Sequence, residues 1–296
     1  MTDQTKPHAS RSILDWSIVI LLAAILCALL YLAATGKRVD PSQKADAPPH
    51  GHEMLNAVLW QKTSAEFEAV TRQLYSLAQG NLKRALQDPE WSAIPNSKAN
   101  AQLAPTAVVM DLDETVLDNT GYEEYLIVNH TEYSRESFQK WCESGKSSAI
   151  PGAAEFIRST RDAGVEVIFM SARSEAQRAC TTASLNRLGI TSDGSKNEML
   201  LTGGGEKQPF RDAVAKTHRV LLLVGDNLGD FTEGSLLNVE KRRQIARQYQ
   251  EFWGKSWIIL PNPMYGHWEG AVFAFDYAMP REKKLEQKHK SINSPE

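Results

Sequence analysis

Hydrophobic spacing divides the chain into three stretches. From Trp16 to Ala34 it reads WSIVILLAAILCALLYLAA, nineteen positions with no charge and one hydroxyl, Ser17. A helix of that length rises about 28 Å, close to the hydrocarbon thickness of a bilayer. Residues 16–35 are therefore expected to form a transmembrane signal-anchor helix behind a short tail, 1–15. A cleaved secretory signal is the rival reading, although its apolar core is normally shorter. Basic residues flank the run on both sides (Lys6 and Arg11; Lys37, Arg38 and Lys44), so charge does not orient it. A short tail and a large remainder predict that the C-terminal part is exported, to the periplasm or the outer face. Residues 36–50, polar and Pro-bearing, read as a linker.

Beyond the linker, apolar residues fall at three- and four-residue steps from Leu55 to Leu86. This predicts an amphipathic helical region, interrupted near Lys62–Ser64 and ended by Asp88-Pro89. The spacing then changes. Short apolar runs at 107–110, 165–170, 198–201, 220–224 and 257–260 alternate with helical segments at 151–162, 174–188, 210–216 and 236–251. Strands separated by helices predict βαβ units, hence an α/β fold with a parallel sheet flanked by helices. The last residues, 281–296, read as a solvated charged tail.

Composition removes some function classes. The 296 residues carry 33 Lys+Arg against 36 Asp+Glu, a net charge of -3, which suits no nucleic-acid-coating protein. Three cysteines (Cys27, Cys142 and Cys180) without a C-x-x-C exclude a zinc ribbon and a disulfide scaffold. Export would permit a Cys142–Cys180 disulfide, which spacing alone does not establish.

The placement of the acids is the informative feature. Asp111 and Asp113 follow one predicted strand, Asp226 and Asp230 follow another, and Ser171 ends a third. In an open α/β sheet, ligands bind outside the carboxyl ends of the strands, so these groups are expected to converge. Four carboxylates in one cleft need neutralising, and a hard divalent cation such as Mg²⁺ takes oxygen ligands. No histidine cluster is nearby to favour zinc. Such a site suits a phosphate ester: one Asp can attack phosphorus, and the other can protonate the leaving oxygen and then activate water. Lys207, after Gly203-Gly204-Gly205, is placed to reach a phosphate.

These residues have a familiar pattern. DLDET (111–115), Ser171, Lys207 and GDNLGD (225–230) resemble, in order, the four motifs of the haloacid dehalogenase (HAD) superfamily. NAVLWQKTSAEF (56–67), PGAAEF (151–156) and LPNPMYGHWEG (260–270) narrow the resemblance to its class C (subfamily IIIB) acid phosphatases, a family that includes bacterial lipoprotein 5′-nucleotidases. The likeness covers about residues 54–278, within an expected domain at 51–280.

The resemblance implies a Rossmann-like HAD sheet with a small cap insertion, about 119–149, and a Mg²⁺-dependent phosphomonoesterase. Asp111 would be the phosphorylated nucleophile and Asp113 the acid/base. Asp111, the carbonyl of Asp113, Asp226 and Asp230 would hold the metal. Ser171 and Lys207 would bind phosphate, and Tyr265, with Tyr122 and Trp141, the leaving group. Nucleoside monophosphates or small phosphate esters would be substrates, and a homodimer is permitted. Three features depart from the family: no lipidation cysteine, Ser171-Ala172-Arg173 in place of Ser/Thr-Asn-Arg, and a loose third motif in which Lys196 and Lys216 rival Lys207. A phosphotransferase and a non-catalytic tethered binding module are the alternative functions.

Overall fold

The computed structural model describes residues 52–96 and 104–293. The expected tail, membrane span and linker at 1–50, and Cys27, lie outside the described residues. Among the described residues, no helix is long and apolar enough to cross a membrane.

Helices α1 (Leu55–Thr63) and α2 (Ala65–Gln87) form the predicted amphipathic region. They break at Ser64, whose extended backbone caps α2 by accepting from the Phe67 amide at 3.1 Å. Five parallel strands follow: β1 (Thr106–Met110), β4 (Glu166–Ser171), β5 (Met199–Leu201), β6 (Arg219–Gly225) and β7 (Trp257–Ile259). Their order across the sheet is β5-β4-β1-β6-β7. The strands are near-continuous apolar runs because both faces of the sheet are covered.

On one face, Tyr75 and Leu82 of α2 meet Phe156 and Ile157 of α5 (Ala153–Asp162) in the larger core. On the other, Val214 of α7 (Gln208–Thr217) shares a core with Phe231 and Trp257. Helices α6 (Arg178–Arg187) and α8 (Val239–Gln248) complete the alternation. Trp257 is fully buried, and its indole donates to the Ala93 carbonyl at 2.7 Å.

The insertion rises between β1 and α5. Short strands β2 (Leu117–Asp118) and β3 (Ser148–Ala149) pair antiparallel at its base. Helices α3 (Thr120–Val128) and α4 (Arg135–Ser144) stand above them on a small core of Tyr122, Leu126 and Phe138. A disulfide from Cys142 to Cys180, Cα atoms 5.6 Å apart, ties α4 to α6 of the main body. The last elements are α9 (His267–Gly270) and α10 (Arg281–Asn293). Residues 281–293 of the expected charged tail are helical, with no buried residue. Pro280 precedes the first turn of α10, and Arg281, Lys284 and Lys288 reach Glu53, Glu132 and Glu269 rather than water alone.

Candidate active site

Because β1 is central, the carboxyl ends of β4, β1 and β6 lie side by side, and a cavity of about 480 Å³ opens beyond them. Asp111, Asp113, Lys207, Asp226, Asp230 and Tyr265 line it. One carboxylate oxygen each from Asp111, Asp226 and Asp230 lie within 4.8 Å of one another. Gly225 makes this approach feasible, since a Cβ there would overlap the Asp230 side chain. Asp230 turns back to accept from the amides of Asp226 (3.1 Å) and Asn227 (2.8 Å).

Lys207 sits in the middle. Its ammonium lies 2.7 Å from Asp111 Oδ1 and 2.6 Å from Asp230 Oδ1. Pro209, in the first turn of α7, supports the helix start that places it. Burial opposes the charge on Lys207, but Asp111 and Asp230 outweigh it and hold the ammonium protonated. Lys196 and Lys216, its rivals in the sequence, are exposed. Burial, with Asp230 and Asp113 nearby, pushes the Asp111 carboxyl up despite Lys207. Burial and the charges of Asp230 and Asp111 raise Asp226 well above the usual carboxylate range, against a 2.8 Å hydrogen bond from Asn262. Two buried acids thus compete for too little positive charge. An oxygen-only set in that condition fits a hard divalent cation, so the residues fit the metal that the motif implies.

Asp113 is in a different state. Although buried, its carboxyl is held below its ordinary value by Arg173 and Asn119. The Arg173 guanidinium forks onto it, with Nη2 2.7 Å and Nε 3.2 Å from Oδ1 and Nε 3.1 Å from Oδ2; Asn119 Nδ2 donates at 2.8 Å. Arg173 is 3% exposed and also donates to Thr181 Oγ1 at 2.8 Å. Ser171 is fully buried: its hydroxyl lies 3.4 Å from Asp113 Oδ2 and accepts from the Arg173 amide at 3.1 Å.

The aromatics separate. Tyr265 and Tyr122 line the cavity. Trp141 packs against Gly121 and donates to Asn119 Oδ1 at 2.9 Å, one step behind Asp113, without lining the cavity.

Sequence reasoning missed two groups. Arg173 was noted only as part of a triplet, although its place two residues after Ser171 was a usable signal. Glu114 left no signal in spacing. It adopts a left-handed backbone (φ 55°), is 1% exposed, and accepts from Gln61 at 2.6 Å, the Asn119 amide at 3.1 Å and the Tyr265 hydroxyl at 3.1 Å. It therefore joins α1, the insertion and Tyr265 directly behind the Asp pair. His267, assigned no role from sequence, lines the cavity as well, with burial lowering its proton affinity.

A parallel sheet with an Asp-x-Asp pair beyond its central strand, a lysine after β5 and two further acids after β6 defines a HAD-type fold and site. The chain belongs to the HAD superfamily, subfamily IIIB (acid phosphatase), whose family model matches residues 21–268. The class C acid phosphatase of Bacillus anthracis is similar in structure, at 31% identity and a TM-score of 0.73, over 82% of this chain and 98% of that one. A second structure of that enzyme, with tungstate bound, matches to the same extent. Acid phosphatase 1 of Solanum lycopersicum is 25% identical over 166 residues, which are 53% of this chain. The match spans 57% of that relative's length.

Proposed function

We propose that the chain is a Mg²⁺-dependent phosphomonoesterase acting on nucleoside monophosphates or other small phosphate esters through an aspartyl-phosphate at Asp111. The observation that carries this reading is the contact of one buried lysine with two of three converging carboxylates, at 2.7 and 2.6 Å. Lys207 and a divalent cation held by Asp111, Asp226, Asp230 and the Asp113 carbonyl would together offset the acids and leave room for a dianion. The similar Bacillus anthracis enzyme binds tungstate, a tetrahedral oxyanion, which supports a phosphate-ester substrate.

A cation held by these residues would supply charge neutralisation and Lewis-acid polarisation of the phosphoryl group. Asp111 attacks phosphorus; the P–O bond to the leaving group breaks, and that oxygen takes a proton from Asp113. Asp113 is an ion in the free site, so it must first gain that proton, and the arriving phosphate's negative charge raises its affinity for one. Asp113 then removes a proton from water, whose oxygen displaces Asp111 and releases phosphate. Ser171 and Lys207 hold phosphoryl oxygens. Tyr265 and Tyr122 line the space for the leaving group, whereas Trp141, expected there from sequence, instead orients Asn119 behind Asp113.

The uncharged run Trp16–Ala34 and the Cys142–Cys180 disulfide together support an exported catalytic domain tethered to a membrane. Phosphate release from a nucleoside monophosphate and an aryl phosphate, with Mg²⁺ and with excess chelator, tests the function. Release from both that stops with chelator, and in Asp111→Asn, is expected. Undiminished release in that variant would overturn the covalent mechanism.

A further inference from the structure

Beyond the carboxylate cluster, the cavity is lined by residues of the insertion and of α10, and its charges do not balance there. Three cations line this outer half, and each has its own carboxylate. Arg281 lies 2.6 Å from Glu53, Lys284 3.3 Å from Glu132, and Lys288 2.6 Å from Glu269. His52 adds no charge at neutral pH, because burial lowers its proton affinity. Glu123, on α3, is a fourth acid. It is 6% exposed and lines the cavity, and its carboxylate has neither a hydrogen bond nor a cation among the described residues. The charge acting on it is the like charge of Glu269, and with burial this pushes its carboxyl up to about 7.

A carboxyl buried without a partner is costly, and ordinary folds avoid it. Around Glu123 the walls are aromatic. The Tyr122 ring lies 6.2 Å from Tyr133 and 5.2 Å from Phe138, and Tyr265 faces the same space. Arg173 already lies over the Phe138 ring, 5.3 Å from its centroid. Aromatic faces attract cations, most strongly where water is excluded. The carboxylates of Asp113 and Glu123 both act on the hydroxyls of Tyr133 and Tyr265, so the outer acid lies within electrostatic reach of the reacting end.

We propose that Glu123 is a specificity-determining residue that selects phosphate esters whose leaving group carries a cationic nitrogen. The cation sits against Tyr133 and Tyr265, with Glu123 as its counter-ion and the buried Tyr122 ring behind them. This rests on the phosphomonoesterase reading above and names its substrate class.

Phosphocholine and its uncharged isostere, in which a tert-butyl group replaces the trimethylammonium, have the same shape and differ in charge. The test compares their kcat/KM values in wild type and in Glu123→Gln. Wild type is expected to favour phosphocholine at least about tenfold, and Glu123→Gln to bring the ratio near one. An equal ratio in both proteins overturns the proposal. Calorimetric titration with choline and with its tert-butyl counterpart reads the same preference without turnover. If neither ester is hydrolysed, the function reading fails while this titration still decides the role of Glu123. Glu123→Gln also removes an unpaired buried charge, so its Tm above neutral pH should rise. A fall would show that the carboxylate has a partner and would overturn the proposal.

Discussion

The two ends of this cavity solve a charge problem in different ways. At the inner end four carboxylates (Asp111, Asp113, Asp226 and Asp230) face two cations, Lys207 and Arg173, leaving two negative charges. At the outer end four carboxylates face three cations, leaving one, on Glu123. Asp111, Asp113, Arg173 and Asp226 stand within three residues of the ends of β1, β4 and β6, whose backbones are fixed by ladders on both sides. The outer groups stand on α3, α9 and α10 and on the loops that carry Glu53 and Glu132, joined by ion pairs at least partly open to solvent. The inner deficit suits a divalent ion, and the outer one a monovalent ligand group. Removing a charge inside should therefore disable chemistry, whereas outside it should change preference or stability.

The largest effect is expected at the inner end. Asp226→Asn removes the one acid of the converging three that Lys207 does not contact, and should weaken the proposed metal site. Activity should fall on the order of 10³-fold, because the metal supplies several kcal/mol to the transition state. Part of the loss should return at high Mg²⁺ concentration, as read by phosphate release. A loss that no Mg²⁺ concentration relieves would break the assignment of Asp226 as a ligand. Arg173→Lys comes next, since an ammonium cannot reproduce the fork onto Asp113. Acid/base catalysis contributes typically 10²–10⁴-fold, so a loss of about 10²-fold is expected. Arg173 lowers the proton affinity of Asp113, so the variant's pH–rate profile should move to higher pH. An unmoved profile would mean that Arg173 only packs.

The inner end was also the legible one. Asp111, Asp113, Ser171, Asp226 and Asp230 were readable because each follows a short apolar run, and strand ends of a parallel sheet meet at one edge. Lys207 was readable only against rivals, because a loop of three glycines does not say which lysine returns to the sheet. The strands themselves were expected within a residue or two. Arg173 was visible as a residue but not as the clamp on Asp113, since a fork needs coordinates. The outer end was opaque. Helix α10 is highly polar, so no apolar stripe predicts that it docks; two of the three pairs that hold it reach Glu53 and Glu132, more than a hundred residues away. Glu123 sits among acids at 123–124 that look solvent-facing, and only the fold buries one of them.

A stability contrast sharpens the comparison through pH. Glu114 and Glu123 are pushed up to about 8 and about 7, chiefly by burial, and Asp226 is raised as well. A carboxyl whose proton affinity is higher folded than unfolded contributes stability below its unfolded value, near pH 4.5, and loses it as pH rises through the folded one. Asp113, lowered by Arg173, does the reverse, and its contribution is lost only at acid pH. With chelator, the Tm should therefore fall between about pH 5 and 8. Mg²⁺ at a hundredfold excess over its Kd should restore about 2.7 kcal/mol by mass action, more effectively at the alkaline side. A Tm that is flat over this range would show that these acids find compensation elsewhere. Reducing the Cys142–Cys180 disulfide should cost about 3–4 kcal/mol for a loop of its length, as denaturant unfolding would show. Because Arg173 donates to Cys142 Sγ at 3.3 Å, reduction should also lower kcat more than it changes KM.

The smallest effect is predicted for an ion pair of the kind that fills the outer surface. Lys62 of α1 lies 2.5 Å from Glu124 of α3, with about half of each side chain exposed. Its distance is as short as the inner lysine contacts, so contact length alone would rank it beside Lys207. Solvent decides otherwise. Water and salt screen an exposed pair, and ordering two long side chains offsets much of the Coulomb gain, so Lys62→Ala should cost no more than about 1 kcal/mol. Raising ionic strength should shrink even that difference in denaturant unfolding. Lys207→Ala strips a buried cation from Asp111 and Asp230, and its cost should persist in salt. If both variants responded to salt alike, burial would not be what separates the two ends of the cavity.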